Sequence, residues 1–236
     1  MWRPRLIVFD ADDTLWENET LYHAAQDDFV SLLGKYHEEK WIRERLYDVE
    51  MSNMAHFGYG IKAFVLSMIE TSVDLTEGRI SGAELKLLID IAKRMIDAEI
   101  QLLDGVRETV ENLHGRYPLA IITKGDLLDQ QRKVDRSGIG DFFDHVEVVA
   151  DKNRQTYQRL FNKFEVQPSD LLMIGNSMRS DILPVLELGG QAVYIPHELT
   201  WGHEHAPTPE EGTNGFHQAA TMRELLGLLE SWERPD

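Results

Sequence analysis

Five short, largely apolar runs each stop at polar or glycine-rich residues: Leu6 to Phe9, Leu119 to Ile122, Val146 to Val149, Leu171 to Ile174 and Ala192 to Ile195. Their length and branched side chains suit buried strands. Helical spacing fills the gaps, with Val106, Val110 and Leu113, then Tyr157, Leu160, Phe161 and Phe164, then Ile182, Val185 and Leu186. Strands that alternate with helices in this way predict an α/β fold: a doubly wound parallel sheet, a Rossmann-like core with both faces covered.

The alternation breaks once. Between the first run and the second the pattern is helical throughout, with one apolar stripe at Ile61, Phe64, Val65, Met68 and Ile69. A second stripe runs through Leu85, Leu88, Ile89, Ala92, Met95 and Ile96. Such stripes are the core of a helical bundle. The sequence therefore predicts an inserted all-helical cap over residues 17–102, with residues 1–16 and 103–236 forming the α/β core. Thr76 and Ser81 mark expected helix starts, the latter with Glu84 in a capping-box pattern. His197 to Gly215, rich in His, Glu, Pro and Gly, is expected to be a surface loop before a last helix from about Thr221.

Charge and cysteine content exclude several classes of function. With 24 Lys and Arg against 41 Asp and Glu, the formal charge of −17 repels nucleic acid and anionic membrane surfaces, so neither is an expected partner. A local lysine or backbone N–H still suffices for a small anion, because screening confines the global field to about 10 Å. The chain has no cysteine, which removes disulfides, zinc-thiolate sites and thiol nucleophiles. The apolar run before Asp10 is too short for a secretory signal, and no run approaches the roughly 20 apolar residues that span a bilayer. A cytoplasmic protein is expected, with its oligomeric state open.

In an open parallel sheet, ligands bind beyond the carboxyl ends of the strands. There the chain places Asp10-Ala11-Asp12-Asp13-Thr14, Thr123-Lys124-Gly125-Asp126, Asp151-Lys152, and Gly175-Asn176-Ser177 with Asp181 beyond. Brought to one edge, these make a carboxylate cluster with lysines, hydroxyls and turn N–H groups, which suits a magnesium-phosphate site. Asp10 and Asn176 offer hard side-chain oxygens, the Asp12 carbonyl a third, and Asp181 a further carboxylate. Thr123, Lys124 and Lys152 would hold phosphoryl oxygens, helped by N–H groups of the turns around Asp13 and Lys124. Each residue alone has a plainer meaning: Thr123 as a helix cap, Lys152 as a solvated lysine, Asp181 as the acceptor of a loop N–H.

These motifs resemble those of the haloacid dehalogenase superfamily. Its Asp-x-Asp-x-Thr is matched by Asp10, Asp12 and Thr14, its strand-end Ser or Thr by Thr123, its Lys by Lys152. Its last motif is approximated by Gly175-Asn176-Ser177 and Asp181. The resemblance implies a magnesium-dependent phosphatase that uses Asp10 as the nucleophile and Asp12 as the general acid and base. It also implies that a helical cap restricts the substrate to a small phosphorylated metabolite. Asn176 stands where many relatives carry a metal-binding Asp, which implies weaker hold on magnesium unless Asp181 compensates. Asp13, at a position that is often Gly, is a milder departure.

Two other functions use the same residues: a phospho-accepting regulatory module, and a catalytically weak interaction protein on the same fold. The insertion and Asp12 argue against the first; Asn176 is the only hint of the second. His197, His203 and His205 suggest a transition-metal cluster but lack helical ligand spacing, so a solvated loop is expected. Trp16, Glu17 and Asn18 lie where the chain enters the insertion. Asn53, His56, Phe57 and Tyr59, beside Gly58 and Gly60 that would bend the chain, are candidates for substrate selection, with ordinary cap helix and turn the equal alternative.

Overall fold

The computed structural model describes residues 2–210 and 212–233; residues 1, 211 and 234–236, part of the expected α/β core, lie outside the described residues. Contacts divide the chain into two compact units. One comprises the chain up to Glu19, Ile100–Lys124 and the chain from Gln130 onward; the other comprises Thr20–Glu99 with Gly125–Asp129.

The first unit is built on a six-stranded sheet of β1 (Leu6–Phe9), β2 (Leu119–Lys124), β3 (His145–Val149), β4 (Leu171–Gly175), β5 (Gln191–Tyr194) and β6 (Phe216–Gln218), ordered β3-β2-β1-β4-β5-β6. Every neighbouring pair is parallel. Phe9 at the end of β1 is level with Ile121 and Ile174, so the strand that precedes Asp10 lies between the one that carries Thr123 and the one that precedes Asn176.

The continuous apolar runs follow from burial on both faces. Ile7, Phe9, Leu119, Ile121, Leu172 and Ile174 pack with Val106 and Val110 of α5 (Val106–Leu113) and Leu225 and Leu229 of α9 (Met222–Glu233). The alternate residues Leu6, Val8, Ala120, Ile122, Leu171 and Met173 face Tyr157 and Phe161 of α7 (Arg154–Phe164). They also face Ile182 and Val185, around α8 (Leu183–Leu186). Side chains alternate across a strand, so a sheet covered twice needs apolar residues at every position.

Two further elements escape the sequence pattern. β6 is only Phe-His-Gln, too short to show a period, and exists because it pairs with β5 at Phe216 and Ala192. α6 (Leu127–Ser137) begins with Leu127 and Leu128 exposed and buries Val134 as its contribution to the apolar core, so its apolar residues mark no face. Ile182 differs as well: it ends a π-helical turn, Met178–Ile182, that leads into α8.

The second unit holds α1 (Glu19–Leu33), α2 (Glu39–Phe57), α3 (Ile61–Leu75) and α4 (Gly82–Asp97), packed around Phe29, Leu33, Ile42, Leu46, Phe64, Met68, Leu88 and Met95. On α4 the buried stripe runs through Leu88, Ile91 and Met95, while Ile89 is 42% exposed, which corrects the expected stripe by rotating it. Ser81 caps α4 in a reciprocal box: the Glu84 N–H donates to Ser81 Oγ (3.2 Å) and the Ser81 N–H to Glu84 Oε2 (2.7 Å). Thr76 instead ends α3. Its hydroxyl donates to the Ser72 carbonyl (2.7 Å) and accepts from the Ile80 N–H (3.0 Å), so it terminates a helix where the sequence predicts a start. Gly58 and Gly60 adopt φ of 69° and 109° and form the expected bend between α2 and α3. Among the described residues no helix is long and apolar enough to cross a membrane.

Candidate active site

β1 leads directly into Asp10, whose N–H donates to the Ile174 carbonyl of β4 (2.8 Å). The chain then folds back tightly, with the N–H groups of Thr14, Leu15 and Trp16 all directed at the Ala11 carbonyl and Asp13 at a φ of 60°. This turn carries the Thr14 hydroxyl to 2.9 Å from Asp10 Oδ2 and 3.2 Å from Asn176 Oδ1, while the hydroxyl accepts from the Asn176 N–H (3.1 Å). One threonine thus pins the first and last motifs together. The Asp13 N–H, expected to face a phosphate, donates to the Trp16 carbonyl (2.7 Å).

Lys152 is not solvated. Its side chain is 2% exposed, and its ammonium is ion-paired with Asp10 Oδ1 and with Asp181 Oδ1 (2.8 Å). Asp181 Oδ2 accepts the Ser177 N–H (3.0 Å). Gly175 is required at this crossing, because a Cβ there would lie 2.3 Å from Asp181 Oδ2. Burial pushes the Asp10 carboxyl up to about 7, against the pull of Lys152, with Asp181 and Asp12 adding to the rise. Burial alone would lower Lys152, but Asp10 and Asp181 outweigh it and hold the ammonium charged above its ordinary range.

Asp12 is held by a different set. Its Oδ1 accepts from Trp16 Nε1 (2.8 Å) and Lys133 Nζ (3.0 Å), and its Oδ2 from Gln130 Nε2 (2.8 Å) and Lys133 Nζ (3.2 Å). Lys133 also donates to Asn18 Oδ1 (2.8 Å). Burial raises this carboxyl, but Lys133, Gln130 and Trp16 outweigh it, and Asp12 lies below the usual carboxylate range.

Thr123 is buried at the end of β2, and Lys124 beside it is directed toward the β4 side, donating to Ser180 Oγ (2.9 Å) and ion-paired with Glu204 Oε1. Glu204 comes from a short turn, Gly202–Glu204, inside the expected surface loop, and is 8% exposed. Burial raises its carboxyl, but Lys124 and the hydroxyls of Ser177 and Ser180 outweigh it and hold it at about 2. Part of this loop is therefore core of the site rather than solvated.

Gln130, Lys133 and Glu204 are the residues that sequence reasoning missed. Gln130 and Lys133 carry one available signal, their i,i+3 spacing on one helix face; Glu204 carries none. The three loop histidines do not form a cluster. His197 lies 3.8 Å from Asp13 Oδ1 and 3.7 Å from Glu17 Oε2. Asp13, Glu17 and His197 form the group of potential metal ligands found among the described residues, and His203 instead packs against Trp201. Asp13 is already engaged there, accepting the N–H groups of Asn18 (2.8 Å) and Glu19 (3.1 Å) at the start of α1. In the helical unit, Asn53 is tied to Ser67 Oγ (3.2 Å) and Glu70 Oε2 (2.7 Å), and Phe57 is 52% exposed.

The sheet order, the aspartate after the central strand and the buried lysine beside it define a doubly wound α/β protein with a charged site at the carboxyl edge of its sheet. Residues 4–189 match the family model of haloacid dehalogenase-like hydrolases, and the chain belongs to that family. A haloacid dehalogenase-like family hydrolase from Xanthomonas campestris has the same fold with a TM-score of 0.86 and 35% identity, over 97% of this chain and 91% of that one. Human N-acylneuraminate-9-phosphatase is 25% identical, over 97% of this chain and 95% of its own length. The glyceraldehyde 3-phosphate phosphatase of Pyrococcus furiosus is 24% identical over 84% of this chain and 82% of its own length.

Proposed function

We propose that this hydrolase is a magnesium-dependent phosphatase of small phosphate monoesters, with Asp10 as nucleophile and Asp12 as general acid and base. The observation that carries the reading is the state of Asp10. It is a buried carboxylate at the end of a central strand, with Thr14 and Lys152 fixing its two oxygens and its basicity raised. A carboxylate so placed is oriented for attack, and its Lys152 partner would stabilise the charge of the transferring phosphoryl group. Thr123 and Lys124 complete the phosphate side in this reading.

The donor set fits a hard divalent cation. Asp10 Oδ2 and Asn176 Oδ1, both hard oxygens, lie 2.9 and 3.2 Å from the one Thr14 hydroxyl. Asp10, the Asp12 carbonyl and Asn176 would hold magnesium. Asp181, whose oxygens are engaged by Lys152 and the Ser177 N–H, acts from behind. Bound magnesium would neutralise charge on the phosphoryl oxygens.

In the first step Asp10 forms a bond to phosphorus while the bond to the leaving oxygen breaks, and that oxygen takes a proton from Asp12. In the second, water attacks phosphorus and passes a proton to Asp12, the bond to Asp10 breaks, and phosphate leaves. Asp12 is ionised in the arrangement described, which suits the second step, so it must gain a proton before the first. The names of the human and Pyrococcus relatives support a small phosphorylated metabolite as substrate. In this reading the four helices belong to a cap insertion proposed over residues 17–102.

The test is turnover of para-nitrophenyl phosphate by purified protein with magnesium, with a chelator, and in the variants Asp10→Asn and Asp12→Asn. Turnover that needs the metal and is lost in both variants supports the mechanism. Wild-type inactivity, or an Asp10→Asn protein as active as wild type, sinks it. A long-lived phosphorylated Asp10 without turnover would point to a regulatory phospho-acceptor instead.

A further inference from the structure

Glu204 joins the two strands that flank the nucleophile strand. Its Oε1 is paired with Lys124 at the end of β2, and its Oε2 accepts from Ser177 Oγ (2.5 Å) and Ser180 Oγ (2.5 Å) beyond β4. The network closes on itself, because Lys124 also donates to Ser180 Oγ (2.9 Å) and the Ser180 N–H to Ser177 Oγ (2.9 Å). In the sheet, β2 and β4 lie on either side of β1. One carboxylate from a loop therefore spans the strand that leads into Asp10.

Each of its partners adjoins a residue of the proposed site: Lys124 follows Thr123, Ser177 follows Asn176, and Ser180 precedes Asp181. Closing a loop does not require this chemistry. An apolar side chain would anchor the segment without the desolvation cost of a buried carboxylate, which is tolerated only when fully compensated. Here the compensation is drawn from both flanking strands at once.

We propose that Glu204 is a positioning residue for phosphoryl transfer, setting the separation of the β2 and β4 ends and the aim of the Lys124 ammonium around Asp10. The inference rests on the phosphatase reading. Glu204 touches neither Asp10 nor the phosphoryl group in this role; it acts through Lys124, Ser177 and Ser180. A displacement of about 1 Å in such groups costs up to roughly a hundredfold in rate.

The experiment compares Glu204→Gln, Glu204→Ala, Lys124→Met and the Glu204→Gln, Lys124→Met double variant with wild type. It measures kcat and KM for para-nitrophenyl phosphate with magnesium, affinity for orthovanadate as a phosphoryl analogue, and thermal unfolding. Glu204→Gln keeps the shape and can still accept from one or both serines but cannot neutralise Lys124. It should lose roughly tenfold in kcat, and Glu204→Ala up to roughly a hundredfold, with vanadate affinity falling in step. The double variant should be no worse than the more damaged single one. A merely structural brace would lower the unfolding temperature and leave kcat and vanadate affinity of the folded protein unchanged, and that result overturns the proposal. So does a rise in kcat on removing Glu204, which would make it an obstruction. If Glu204→Ala does not fold, Glu204→Gln carries the test. Failure of the phosphatase reading looks different: wild type itself then neither turns over the ester nor binds vanadate, and the positioning role falls with it.

Discussion

The Lys133 ammonium lies 3.0 and 3.2 Å from the two carboxylate oxygens of Asp12, and Gln130 and Trp16 donate to the same carboxylate. The residue proposed to move protons is therefore clamped by a lysine 121 positions away in the chain. Lys133→Met should leave the fold intact, since Gln130 and Trp16 still hold Asp12, but should lower kcat by roughly tenfold or more. The pair acts as a unit, so Lys133→Met combined with Asp12→Asn should be no slower than Asp12→Asn alone. Steady-state kinetics on the three proteins decide it; additive losses would separate the two residues.

Lys152 is the buried counter-ion of both Asp10 and Asp181. Replacing it with Met leaves two carboxylates facing each other without compensation, which should cost about 3–5 kcal/mol of stability. Urea unfolding without added metal measures the loss. Introducing Asp10→Asn into the same background should restore part of it, because one of the two uncompensated charges is gone. Undiminished stability of Lys152→Met would mean that the carboxylates find protons instead.

At Gly175 an added Cβ would lie 2.3 Å from Asp181 Oδ2 and 2.5 Å from its Cγ, so Asp181 would have to move and release both Lys152 and the Ser177 N–H. Gly175→Ala is expected to lose activity by roughly tenfold or more. Gly82→Ala in the first turn of α4, where nothing lies within 4 Å, is the control and should gain about 0.5 kcal/mol. Equal activity of the two variants would dismiss the close packing at Gly175.

Glu50 on α2 has a buried Oε1 without a hydrogen-bond partner, and burial raises its carboxyl from 4.5 to about 8. The folded state therefore binds a proton that the unfolded chain has released. Its contribution is fully present below about pH 4.5 and is lost as the pH rises through about 8, by an amount on the order of a few kcal/mol. Glu50→Gln should remove this dependence and be the more stable protein at pH 8. Unfolding midpoints of both proteins between pH 5 and 9 test the sign; parallel curves would show that Glu50 is not buried as described.

What was legible in the chain is what repeats locally or follows a strand directly. Asp10, Thr123, Lys152 and Asn176 stand at or beside strand ends, and the apolar runs that precede them announce the strands because burial on both faces demands apolar residues throughout. The structure brings Asp10, Lys152, Asn176 and Asp181 into one hydrogen-bonded and ion-paired set, and Asp12 and Lys124 into two adjoining ones. Thr76 ends a helix where the sequence predicts a start, because a threonine hydroxyl can cap a start or bond back to the carbonyl four residues earlier, and only the geometry distinguishes them. α6 and β6 were invisible because one carries few apolar residues and the other is three residues long.

By itself the sequence determined the parallel α/β core, the helical insertion and the order of the strand-end motifs, since periodicity and strand-end chemistry are properties of neighbouring residues. Only the tertiary structure decided which lysine serves which carboxylate: Lys152 for Asp10 and Asp181, Lys133 for Asp12, Lys124 for Glu204. Those pairs span 29 to 142 positions along the chain. A buried ion pair depends on distance and desolvation in the folded molecule, and neither quantity leaves a local pattern by which one acidic residue among 41 could be told from another.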